Sequence, residues 1–336
     1  MSKEQKTDES PQEEHVELGE LNRVDDTRFN KTLEALIQES EDTRLHRMKQ
    51  MRTRGFIAMN ASIALIFIGI AAFGWFFLME GKIIEGLIAI ALSLAPSVLL
   101  YKWADLPLKK YVREHKEIFM PKLAKAINGL SFYPKRGVSS KILGKLAVLP
   151  AHDRYEAEDC FMGMYKGVKV IFSEARLYSK TYKTGQVFDG IFVLLETPAD
   201  VIDGHTIVTA NNKMVKAYSK TRWKTMQQVH IAPSDPKWDK FTIYSTKPDS
   251  AELIIGDRLL KELAEASEIF DNAPLTAVFF GNKYIFIMLP YDKDMFEASD
   301  IHVPVTTKQH ATQCKKEIEQ ILEIVDVFDL YQPVKS

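Results

Sequence analysis

From Phe56 to Met79 the chain reads FIAMNASIALIFIGIAAFGWFFLM, with Asn60, Ser62 and the indole of Trp75 as its only hydrogen-bonding side chains. As a helix rising 1.5 Å per residue, the run reaches about 36 Å, more than the ~30 Å hydrocarbon core of a bilayer. Helices packed in a soluble core usually keep a polar face, and this one has none. A second apolar run, Ile83 to Tyr101, extends about 28 Å by the same arithmetic, and Glu85 is close enough to its start to stay among headgroups. Only Glu80, Gly81 and Lys82 separate the two. The expectation is a transmembrane helical hairpin over 55–101, turning at Gly81, where glycine supplies the backbone freedom. A cleaved leader is not expected, because fifty-five mostly polar residues precede the first run.

Orientation follows from positive charge. Arg44, Arg47, Lys49, Arg52 and Arg54 precede the first run, and Lys102, Lys109, Lys110, Arg113 and Lys116 follow the second, against Lys82 alone in the turn. Both ends are therefore expected in the cytoplasm. Cys160 and Cys314 are the only cysteines and form no disulfide framework, which suits a reducing compartment. Within the second run Ala89, Ser93 and Ser97 recur every four residues, a small-residue face expected to pack on the first helix. Pro96 predicts a kink. No chain of intramembrane acids and bases is present, which argues against a proton pump or transporter.

The remainder divides by pattern. Residues 1–25 are acidic and poor in apolar side chains, so a disordered tail is expected. Phe29, Leu33, Leu36 and Ile37 share one stripe, which predicts an amphipathic juxtamembrane helix over 26–54. Residues 102–150 read as a basic amphipathic linker helix broken near Pro107 and Pro121. From about Ala151 the period changes to two. Tyr155 to Tyr165 and Val168 to Tyr178 flank a Lys166-Gly167 turn, and Val187 to Glu196, His205 to Thr209, Met226 to Ile231 and Phe241 to Ser245 add short strands. LTAVFFGNKYIFIML predicts a hairpin at Gly281-Asn282. Asp249 and Glu252 have capping-box spacing at the start of a helix that Gly256-Asp257 restarts, and a last helix runs from Lys308 to Leu330. The fold class expected is α+β: the hairpin, then a mostly antiparallel β-rich cytoplasmic domain over 151–331 with a C-terminal helix.

VFDGIFVLLE (Val187 to Glu196), WDKFTIYSTKPDSAELIIGDRLLKEL (Trp238 to Leu263) and KYIFIMLPYDKDMFEAS (Lys283 to Ser299) resemble the bacterial two-span membrane family catalogued as domain of unknown function 3137. The resemblance extends over Lys102 to Tyr331 together with the hairpin. Where the family pattern carries an arginine after the alanine early in the helix, this chain has Ala251-Glu252. The resemblance implies a bacterial inner membrane and supplies no activity.

Chemical signatures are sparse. The eight histidines and two cysteines show no metal-binding spacing, no Gly-rich phosphate loop or Gly-x-Ser-x-Gly elbow occurs, and neither cofactor nor metal is expected. Two clusters remain. HDRYEAEDC gathers Asp153, Glu156, Glu158 and Asp159, which could serve acid-base chemistry in a membrane-bound hydrolase or transferase, or simply solvate a strand. Between Gly204 and Ser234 there is no acid, while Lys213, Lys216, Lys220, Arg222 and Lys224 surround Tyr218 and Trp223. Cations interleaved with aromatics can hold phosphate, and for a membrane-tethered domain the nearest polyanion is anionic lipid rather than nucleic acid. The sequence therefore points to a non-enzymatic binding or scaffold protein. Its partners would be the bilayer, a protein and anionic lipid, with self-association of hairpins left open.

Overall fold

The computed structural model describes residues 26–146, 148–181, 185–198, 202–211, 225–232 and 234–328. The expected acidic tail lies outside them. The first helix, α1 (Asp26–Glu80), is unbroken over 55 residues, so the amphipathic segment and the apolar run are one rod of about 82 Å. This differs from the separate juxtamembrane helix read from the pattern. Nothing from Arg44 to Gly55 breaks helical geometry, and the change from one-sided to all-round apolarity reflects a change of surroundings rather than of backbone.

After α1, Gly81 takes a positive φ of 63° and the Lys82 N–H returns to the Phe76 carbonyl at 3.0 Å, closing the helix. α2 (Ile83–Ala104) then runs back along α1. Both helices are long and apolar enough to cross a membrane. Only 11% and 6% of their most apolar windows are buried, which a core helix of a soluble protein would not tolerate. At the contact, a Cβ on Gly69 would collide with Ser93 Oγ, and Gly86 is buried against Phe73. Ala89, Ser93 and Ser97 are each half-buried. Neither glycine was singled out in the sequence, yet both set how closely the helices approach.

Asp105 separates α2 from α3 (Leu106–Glu114), which passes through a π-helical turn (His115–Phe119) into α4 (Met120–Asn128). There follow β1 (Ser131–Tyr133), α5 (Ser140–Leu146), β2 (Arg154–Tyr165), β3 (Val168–Tyr178), β4 (Gln186–Glu196), β5 (Ile202–Thr209), β6 (Gln227–Val229) and β7 (Thr242–Ser245). The chain ends with α6 (Pro248–Ile254), α7 (Asp257–Ile269), β8 (Thr276–Asn282), β9 (Tyr284–Pro290) and α8 (Gln309–Val327). The nine strands form one antiparallel sheet in the order β1-β2-β3-β4-β9-β8-β5-β7-β6. Because β1 pairs with β2, the sheet begins about twenty residues before the two-residue period becomes visible. Three residues are too few to show a period. The capping box at Asp249 does not form: Pro248 occupies the first turn, where its missing N–H costs nothing, and Lys247 takes the cap position without a side-chain bond.

Both sheet faces are covered, which explains the near-continuous apolar runs of β4, β8 and β9. On one face Phe172, Val193, Phe279 and Ile287 pack under Leu123 and Ile127 of α4, Leu260 and Leu263 of α7 and the buried stripe of α8. Leu33, Leu36 and Ile37 of α1 join that same cluster. On the other face Leu177, Phe192, Val278 and Phe286 pack beneath Leu143, Leu146, Val148 and Leu149.

Candidate functional site

The strongest departure from regular structure is in β2. Glu158 pairs with Glu174 and Phe161 with Phe172, so one extra residue bulges between them. Asp159 occupies the bulge at φ 52°, a left-handed conformation that aspartate tolerates better than most residues, and is fully buried. Its Oδ2 accepts from Lys116 Nζ at 2.6 Å, while Oδ1 has no hydrogen-bond partner. Lys116 comes from the π turn, which re-aims the helix at this point.

Around this pair lies a network of charge. Glu158 and Glu174 face each other across β2 and β3, a repulsive placement offset by Arg176. Arg176 donates to Glu158 and to Asp294 (2.7 Å) and stands 3.3 Å from Asp189 and 3.6 Å from Glu174. Glu174 Oε1 accepts from the Met295 N–H at 2.7 Å. Burial, with the neighbouring Asp159 charge, raises the Glu174 pKa to about 8. Burial also raises Asp159, to about 6, with Lys116 opposing it. Burial works against the charge on Lys116, but Asp159 outweighs it and holds that pKa above the ordinary lysine value. The corner thus favours the charge on Asp159, held by Lys116, over a charge on Glu174.

Over this corner α3, the 134–140 loop and β2–β3 enclose a groove of about 860 Å3. Lys109 and Arg113 of α3, Lys116 of the π turn, Lys135 and Arg136 of the loop, and Tyr155, Ala157 and Ala175 of β2 and β3 line it. Gly137 lets the loop press on the strands, since a Cβ there would collide with Ala157, the Tyr155 hydroxyl and Ser173. The Tyr155 hydroxyl donates to the Val138 carbonyl at 3.1 Å.

The acidic cluster read from the sequence is dispersed. Asp153 accepts from the Lys180 N–H at 2.7 Å, and Glu156 stands 3.4 Å from Arg154. Only Glu158 and Asp159 enter the buried network. Its other members, Lys116, Glu174, Arg176, Asp189 and Asp294, were not foreseen. The signal available was the charged pair Glu174 and Arg176 near the middle of β3, a strand that is otherwise mostly apolar. The basic loop is not placed, because Lys213, Lys216, Lys220, Arg222, Trp223 and Lys224 all lie outside the described residues.

A second cluster was also missed. His310 and Cys314, one turn apart on α8, meet His115 of the π turn: the two Nε2 atoms are 2.9 Å apart, and Cys314 Sγ is 3.5 Å from His310 Nε2. Burial lowers His115 to about 3 and His310 to about 4, so both rings are neutral and one donates to the other. Among the described residues no three His, Cys, Asp or Glu side chains are disposed to hold a metal ion. The contact ties the π turn to α8.

Residues 186–330 match the model of a family described as protein of unknown function (DUF3137). Over that stretch the chain is similar to DUF3137. The DUF3137 segment begins at β4 and takes in Asp189 and Asp294, but α1–α5 and β1–β3, with every residue lining the groove, precede it. This is narrower than the extent read from resemblance alone. Neither the curated proteins nor the solved structures contain a match to the chain.

Proposed function

We propose that the chain is a membrane-anchored, non-enzymatic binding or scaffold protein of the bacterial inner membrane, with its sheet domain in the cytoplasm engaging a protein partner or the anionic leaflet. The observation that carries this reading is the continuity of α1 from the apolar hairpin into the core of the domain. Ile37 is separated from Phe56 by nineteen residues, at most about 28 Å of helix. Glu41 binds Arg44 and accepts from the Val305 N–H, Arg44 donates to the Ile301 carbonyl at 2.8 Å, and Arg47 pairs with Glu114. A domain held this firmly presents a fixed surface to the bilayer, which suits recognition at the membrane.

A hydrolase or transferase centred on 153–159 is less well supported. The carboxylates there are already engaged by protein groups, and fully buried Asp159 cannot meet a substrate.

The lipid form of the proposal is tested with full-length protein in zwitterionic nanodiscs offered anionic vesicles. Replacing Lys213, Lys216, Lys220, Arg222 and Lys224 with Glu is expected to reduce vesicle capture by at least about tenfold, as is raising salt to about 0.5 M. Capture that survives both changes refutes lipid recognition by that loop.

A further inference from the structure

We infer that the groove beneath α3 binds the phosphate-bearing headgroup of an amphiphile at the membrane surface. The inference rests on the membrane anchorage proposed above and adds a site to it. Most charges lining the groove are spoken for: Lys116 by Asp159, Arg176 by its carboxylates, Arg113 with Glu117 at 3.9 Å, and Glu156 with Arg154. Lys109, Lys135 and Arg136 are left exposed and without an ion pair among the described residues. They come from two elements that line one cavity, to which Ser139 and Ser140 add hydroxyl groups.

Three cations without an ion pair, contributed to one cavity by two elements, favour a compact anion, and the planar fork of Arg136, which lies over the Tyr133 ring at 4.6 Å, matches phosphate oxygens. Val112, Val138, Tyr155, Ala157 and Ala175 give the same cavity an apolar lining, which a free inorganic ion would not need and a glycerol or alkyl stem would cover. The position agrees. Lys109 follows Tyr101 by eight residues, so at most about 12 Å of helix separates it from the edge of the apolar run, close to where lipid phosphates lie.

The test uses full-length protein in phosphatidylcholine nanodiscs, titrated calorimetrically with dihexanoyl phosphatidic acid, glycerol 3-phosphate and inorganic phosphate, with empty discs subtracted. Saturable binding of the short-chain lipid is expected, weakened at least about tenfold by combined Lys109→Glu, Lys135→Glu and Arg136→Glu. All three side chains are exposed, so the variant keeps its fold. Tighter binding of the lipid than of glycerol 3-phosphate assigns the membrane as the source. Equal binding supports phosphate recognition and assigns a soluble phosphate ester instead. No saturable binding, or an unaffected triple variant, overturns the inference. Lipid bound in the groove while vesicle capture fails would sink only the loop reading, and the reverse result would sink only the groove.

Discussion

Single residues decide the chemistry of the buried corner. Glu174 has its pKa raised by burial to about 8 in the folded protein, against an ordinary value near 4.5. A raised carboxyl pKa means that the folded state holds its proton more tightly than the unfolded chain. The favourable contribution is complete below about pH 4.5 and is lost as pH rises through about 8. Glu174→Gln keeps an acceptor for the Met295 N–H and removes that titration. Its unfolding midpoint relative to wild type should therefore climb between pH 6 and pH 9, and a pH-independent difference would show that Glu174 is ionised throughout. His115 and His310 act in the opposite sense. Their folded pKa values lie below the ordinary 6.5, so the stability they contribute is present above pH 6.5 and falls away toward pH 3 to 4. Asp159 and Lys116 were visible as letters, but their pairing was not, because forty-three residues and a π turn lie between them.

Among elements, α1 is the one whose role exceeds its sequence pattern. Its stripe of Leu33, Leu36 and Ile37 announced that something apolar would cover it, and the partner proved to be the same cluster that holds α4, α8 and the sheet. Leu36→Ala removes a buried side chain and should lower the stability of the sheet domain by about 2–4 kcal/mol. Leu45→Ala, at an exposed position on the same helix, should cost under about 1 kcal/mol. Denaturant titration of the full-length protein in detergent measures both, and equal midpoints for the two variants would separate α1 from the core. The basic residues flanking the hairpin also change meaning once packed. Arg44 and Arg47 are tied to Glu41 and Glu114, and Arg54 lies over the Trp103 ring at 4.8 Å. Of the flanking cations counted for orientation, Lys49, Arg52, Lys102, Lys109, Lys110 and Arg113 remain exposed.

For the whole molecule, the packing of α1, α4 and α8 around one core requires both ends of the hairpin to emerge on the same side. Epitope tags at the N- and C-termini should respond alike to protease in intact spheroplasts and both switch in inverted vesicles, with protection in spheroplasts expected under the cytoplasmic orientation proposed above. Tags on opposite sides would be incompatible with this fold. The sequence by itself determined the two apolar helices, the turn at Gly81 and most strands, because hydrophobic period and turn chemistry are local properties of the chain. Tertiary structure alone decided the pairing of Lys116 with Asp159, the four carboxylates around Arg176, the contact of His115 with His310 and the groove over them. Those contacts join segments far apart in sequence, and no local period records which buried charge will meet which.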